Sequence, residues 1–382
     1  MPTSSSSPGS CSAASRKLSS LNIRGPKLRQ NSSSRYQSLL KLVFLVLMGS
    51  GLSACATLSW YGQAISGHLD LLSRRELIAD LIERPDTDPE LARRLALVLD
   101  IRAYAASELG LPESRSYRHY ADLERDAAVW NVVAVPPHSF KAHTWCYPIA
   151  GCLNMRAFFD HDRARAEARR LAEAGLDVAV FPAVAYSTLG WFSDPVLNTM
   201  LNWDDARLAG FLFHELTHER RYVAGDLAFS EAYAVTVERF GVRRWLLSTG
   251  REAMLDDWTR RQAESAQLVD TLLAARADLA EIYASGLESD AMARARQARF
   301  ERLAIDLDKA ARALDSRLLA HWAGLELNNA HLVMTATYEA GVAAFEALLA
   351  ECDDEIHCFH ARVDALAEAD SEARAKFLAR KD

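Results

Sequence analysis

The chain reads as α+β: helices first, then a small mixed sheet with a helix of its own, then a largely α-helical C-terminal region. Three observations give this reading. All 11 prolines lie at or before Pro195, so nothing from Val196 to Asp382 forces a helix to break. That half is rich in Ala, Leu, Arg and Glu, which are strong helix formers. The middle holds β-branched and aromatic runs bounded by Pro and Gly.

The elements follow in order. Residues 70–111 read as helical. "AAVWNVVAV" (127–135), "HTWCYPIAG" (143–151) and "LDVAVFPAVAYSTLGWF" (176–192) read as strands. Between them "DHDRARAEARRLAEAGL" (160–176) reads as a helix that ends at Gly175. "NWDDARLAGFLFHELTHERRYV" (202–223) is a helix that Asp204 or Asp205 can cap, with Leu208, Phe211, Leu212 and Leu216 at helical spacing. A Gly225–Asp226 turn leads into a second helix over "AFSEAYAVTVERFG" (228–241). "MARARQARFERLAIDLDKAARALDSRLLAHWAG" (292–324) repeats apolar residues every three or four positions, the mark of amphipathic helices packed on one another.

The 382 residues are 50% hydrophobic, enough for one large domain or two modest ones. The division expected is a leader over 1–54, a core over 55–250 and a helical region over 251–382. The formal net charge is −7 with no basic stripe interleaved with aromatics, which argues against a nucleic-acid partner. Residues 1–34 are Ser-rich and lack an apolar period, so they cannot bury enough surface to order themselves.

"LLKLVFLVLMGSGLSAC" (39–55) follows basic Arg35 and runs from apolar to small residues, the order of a signal peptide. Its end, Leu52 to Cys55, resembles a bacterial lipobox. The resemblance implies lipidation of Cys55 and a membrane partner through that anchor. With Ala56 rather than Asp next, it also implies an outer-membrane lipoprotein facing the periplasm. A plain secretory signal or an uncleaved anchor helix are the other readings of the stretch. Export makes Cys146, Cys152, Cys352 and Cys358 disulfide candidates, with three possible connectivities of which two local loops are simplest. "CDDEIHCFH" (352–360) also allows a metal site at Cys352, His357, Cys358 and His360, which an oxidising compartment disfavours.

The chemistry centres on "HELTH", residues 214–218. On a helix, residues four apart stack one turn above the other, so His214 and His218 can address one ion. Glu215 reaches the edge of the same site. Zinc held by three protein groups keeps a position for water, and a glutamate beside it can take that water's proton. The apolar residues before His214 place the motif on a buried helix. A third ligand comes from the second helix, either Glu231 in its first turn or Glu238 seven residues on.

HExxH with a glutamate from a following helix is the gluzincin pattern, and "FSEAYA" resembles that pattern's segment around the third ligand. "YSTLGWFSDPVLNTML", the long stretch from "HELTH" to "GVRRWL", and "YGQAISGHLDLL" after the lipobox resemble a bacterial aminopeptidase lipoprotein family. The similarity spans about residues 50–350. It implies a zincin-like core with His214, His218 and Glu231 as zinc ligands and Glu215 as general base. It also implies a peptide substrate cut from its amino end. Twelve residues separate His218 from Glu231, fewer than is usual in gluzincins, whereas Glu238 lies at the usual distance.

Of the two glutamates, the other would orient a ligand histidine, and Asp226 is a further candidate for that work unless it only makes the turn. Glu238 is also the available acid for a substrate amine. "VAYSTLGWF" (184–192) is either a substrate-pairing edge strand or a core strand. Tyr338, on one helix face with His331 and Asn328, is the candidate for stabilising the oxyanion. Two other functions compete: an endopeptidase with the same site, and a non-catalytic lipoprotein that only binds metal. Glu215 separates the last from the others, because a binding site needs no base.

Overall fold

The computed structural model describes residues 59–147, 151–185, 193–335 and 341–380. Ser59–Asp382 forms one compact unit of mixed α+β type with small sheets and a helical C-terminal region. The signal-like segment and Cys55 lie outside the described residues, and within those residues no helix is long and apolar enough to cross a membrane.

The unit opens with helix α1 over 59–73, strand β1 (Arg75–Leu77), helix α2 (Ile78–Glu83) and the long helix α3 (Pro89–Leu109). Continuous helix over 70–111 is therefore corrected, since a strand and a loop interrupt it. Asp88 caps α3 by accepting from the backbone N–H groups of Glu90 and Leu91, with Pro89 in the first turn. Gly110 ends α3 at φ 61°, a left-handed conformation that suits glycine.

The single mixed sheet expected from the sequence is instead three small sheets among the described residues. In one, β2 (His119–Ala121) lies between antiparallel β1 and parallel β8 (Val196–Leu197). In the second, β3 (Val129–Val135) pairs antiparallel with β6 (Arg156–Phe158) and β7 (Asp177–Ala183). The third is the hairpin of β4 (Trp145–Tyr147) and β5 (Gly151–Leu153), with Cys146 opposite Cys152 and disulfide-bonded to it.

Successive side chains of a strand point to opposite faces, and β3 buries both of its faces. Val132 and Ala134 pack with Trp60, Trp145 and helix α4 (His161–Glu173). Val133 and Val135 pack with Ala330 of helix α11 (Asn329–Thr335). Of the segment 184–192, residues 186–192 lie outside the described residues.

After the short helix α5 (Asn198–Leu201) come α6 (Asp205–Arg220) and α7 (Leu227–Ser248), which pack on each other. Asp204 caps α6 and Asp226 caps α7. Helices α8 (Leu255–Ala284), α9 (Ser289–Leu314) and α10 (Arg317–Ala323) build a core of their own around Leu272, Leu279, Leu303 and Leu307. The apolar pattern over 292–324 is thus two helices, broken where Asp315 is left-handed and Ser316 caps the next. Helices α12 (Val342–Ala350), α13 (Ile356–Glu368) and α14 (Ser371–Leu378) return to the main core beside α6 and α7. Residues 251–382 are therefore shared among three hydrophobic clusters.

Candidate metal centre

Helix α6 is apolar on most of its circumference. Leu208, Leu212, Phe213 and Leu216 are all buried, each contributing roughly 1.5–3 kcal/mol. That burial fixes the rotation of the helix and leaves His214 and His218 on the side turned to α7. Their Nε2 atoms come within 3.1 Å of each other. From α7, one oxygen of Glu231 lies 3.4 Å from His214 Nε2 and the other 3.5 Å from His218 Nε2. The three groups offer donor atoms within 4.8 Å of one another, and among the described residues this is the only such set of His, Cys, Asp or Glu.

Glu238, two turns further along α7, takes a different position. Its Oε2 is 3.1 Å from His214 Nδ1. A carboxylate accepts, so Nδ1 carries a proton and Nε2 is the atom directed at His218 and Glu231. The structure thus brings His214, His218 and Glu231 together and sets Glu238 behind His214.

Electrostatics agree with a site made for a cation. Burial disfavours charge on His214, but hydrogen bonds to Glu231 and Glu238 outweigh it and raise its pKa to about 10 in the metal-free chain. Burial and the nearby charge of His214 push His218 down to about 4, against the attraction of Glu231. In the metal-free chain His214 therefore carries the extra proton and His218 stays neutral. A divalent ion in place of that proton would use both lone pairs and the carboxylate together. Two imidazoles and a carboxylate are a donor set that suits zinc. Glu215, next to His214 in sequence, is half-buried and adds a negative charge that acts on it.

The remaining sequence candidates fall elsewhere. Asp226 is the N-cap of α7, accepting from Phe229 N–H, and pairs with Arg374 at 2.7 Å. Its orienting role is corrected to a structural one. Tyr338 lies outside the described residues. Asn328 donates to the Val178 carbonyl of β7 at 3.0 Å and lies 3.1 Å from His331 Nδ1, so both tie α11 to the sheet. Cys352 and Cys358 form a disulfide, and His360 is held between Tyr233 Oη and the Leu109 carbonyl at 2.8 Å each. Those groups are not free to hold a metal.

Sequence reasoning missed the cavity beside the site. Its volume is about 760 Å³, and it is lined by Glu238 together with Arg207, Trp258, Arg261, Glu264 and Arg317. Arg207 stacks over Trp203, with its guanidinium carbon 4.4 Å from the ring centroid, and that four-residue spacing was open to reading. Trp258 reaches α6 because Gly210 has no side chain. A Cβ there would lie 3.1 Å from Trp258 and 3.2 Å from Glu238, a contact between elements that no local pattern announces.

No curated protein and no solved structure matches the chain. Residues 59–378 match the family model described as "Putative aminopeptidase", and the chain belongs to that family.

Proposed function

We propose that this protein is a zinc peptidase that removes amino-terminal residues from short peptides, anchored at the outer membrane through lipid on Cys55 and facing the periplasm. The observation that carries the reading is the convergence of His214 Nε2, His218 Nε2 and the Glu231 carboxylate, with the charge of Glu215 acting on His214. His214 and His218 hold the metal as neutral imidazoles, and Glu231 offsets part of its charge. Glu238 keeps the His214 proton on Nδ1 and fixes the ring's orientation. When bound, zinc supplies Lewis acidity, which polarises a carbonyl and makes water acidic enough to lose a proton near neutral pH.

Glu215 is the base of the site. Its carboxylate takes a proton as water attacks the scissile carbonyl and returns it to the departing amine. The family supports the amino-terminal preference. The test is hydrolysis of aminoacyl and internally quenched peptides by the purified chain, with and without a chelator. Aminoacyl substrates should be cleaved faster, and the chelator should abolish turnover until zinc is restored. Turnover that persists without metal defeats the reading.

A further inference from the structure

Helix α1 is fixed on its inner side. Trp60 Nε1 and Gln63 Nε2 both donate to the Ala157 carbonyl of β6 at 3.1 Å, and Leu71 is buried in the main core. That rotation turns Ser59, Gly62, Ile65, Ser66 and Leu69 outward, at spacings of three and four that define one face. Ile65 and Leu69 are each 58% exposed. From Ser59 to Leu69 there is no Asp, Glu, Lys or Arg.

Ile305 of α9 shows the ordinary case. It is 60% exposed, but Glu301, Arg302 and Lys309 stand three or four residues away on the same helix. A lone apolar side chain among charges needs no explanation. Two of them four apart, on a stretch of helix without charge, make a stripe for an apolar partner.

The chain before α1 names that partner. Ser59 follows Cys55 by four residues, and an extended chain advances at most ~3.6 Å per residue, so lipid on Cys55 keeps the start of the helix within about 14 Å of the bilayer. Two aliphatic side chains are too little to hold a free protein on a membrane. With so short a tether the contact is intramolecular and needs little affinity of its own. Charge does not make it. A cavity of about 610 Å³ runs beside the face, with Asp70, Asp160 and Arg163 on its wall, so no excess of positive charge borders the stripe. Asp70 pairs with Arg74, and Asp160 caps α4.

We infer that the outward face of α1, centred on Ile65 and Leu69, lies on the phospholipid surface when Cys55 is lipidated, and so fixes which side of the protein faces the membrane. This rests on the anchored reading above. The face takes the aliphatic boundary of a leaflet and does not require anionic headgroups.

The experiment uses the lipidated protein in phosphatidylcholine vesicles, with Ile65→Cys or Leu69→Cys labelled with bimane. In the mature protein no other cysteine takes the label, because Cys146–Cys152 and Cys352–Cys358 are disulfides and Cys55 carries lipid. Lipid bearing a doxyl group should quench both labels. Iodide should quench them about threefold less than in the unlipidated chain from Ala56 free in solution. Labels that iodide reaches equally in both states overturn the inference. Shielding already present in the free chain overturns it too, because protein, from a second copy or another segment, then covers the face. Shielding confined to vesicles with anionic lipid also overturns it, since charge would then make the contact.

If mass spectrometry of protein extracted from membranes finds no acyl chain on Cys55, the anchored reading falls. The labelled chain from Ala56, held on the same vesicles by an N-terminal decahistidine and nickel-chelating lipid, then decides the face alone. Doxyl quenching supports it, and free access of iodide rejects it.

Discussion

Glu215, Glu231 and Glu238 carry the same functional group in three environments, and the proposed chemistry asks different work of each. Glu231 touches both imidazoles, Glu238 only the far nitrogen of His214. Glu231→Ala should therefore abolish tight zinc binding, whereas Glu238→Gln should weaken it about 10–100-fold. Competition with a chromophoric chelator measures both, and the reverse order exchanges their roles. Glu215→Gln should keep the metal and lose about 10²–10⁴ in kcat, the usual contribution of a general base. A variant that loses metal and activity together would make Glu215 a ligand instead.

At this scale the sequence was informative, because HExxH is a helical spacing and Glu231 and Glu238, seven residues apart, share one face of the following helix. What it could not resolve was which glutamate sits nearer. That depends on how α6 crosses α7, and the crossing is set by packing between elements. Arg207 and Trp258 were invisible as a pair for the same reason.

Helix α6 is clamped along its length and at its C-terminal end. Along its length, Gly241 of α7 allows close approach: a Cβ there would lie 2.7 Å from Leu109 and 2.8 Å from Phe213. Gly241→Ala should cost about 1–3 kcal/mol through overpacking, read as a lower melting temperature. At the end, Arg220 makes two contacts with Asp364 of α13, at 3.0 and 2.9 Å, and approaches Tyr233 Oη at 3.3 Å. Tyr233 in turn contacts His360, which reaches the last carbonyl of α3.

Burial, chiefly, lowers the pKa of His360 to about 4. Since the ordinary value in the unfolded chain is about 6.5, the unfolded state binds the extra proton between these values. Stability contributed by neutral His360 is then complete above pH 6.5 and lost as pH falls towards 4. From pH 7 to pH 5 the loss is about 2 kcal/mol. Urea midpoints at the two pH values should show a smaller acid loss in His360→Gln than in the wild type. An equal loss would mean that His360 does not titrate in that window.

Long helices were legible from periodicity; of Asp204 and Asp205 the structure makes Asp204 the cap of α6, and Gly175 follows Ala174, the last-turn cap of α4. Strands β1, β2 and β8 were not, since two or three residues show no alternation. The β2–β8 pairing joins Tyr120 to Val196 across the chain. The break between α9 and α10 was missed because Asp315 and Ser316 interrupt a continuous apolar period.

For the whole molecule, the sequence indicated an α+β protein with a helical C-terminal region and its chemistry in the middle. The boundary expected at 250/251 falls between α7 and α8, yet α12–α14 fold back onto α6 and α7 through Phe345, Phe359 and Phe377. Such a return is carried by contacts far apart in sequence, which composition does not encode. The Cys352–Cys358 disulfide closes the turn between α12 and α13, near the helix that clamps Arg220. Replacing both cysteines by serine should cost about 2 kcal/mol, the entropy of so short a loop. Chemical denaturation checks the size, and the same protein should retain zinc because no ligand is touched.

The proposed chemistry depends on the three donors holding one ion. The direct test is a crystal structure of the purified protein with anomalous data on both sides of the zinc edge. The account predicts one zinc per chain about 2.0–2.2 Å from His214 Nε2, His218 Nε2 and a Glu231 oxygen, with Glu238 beyond bonding distance. An empty centre in zinc-replete protein, or an ion bound by Glu238 in place of Glu231, would contradict it.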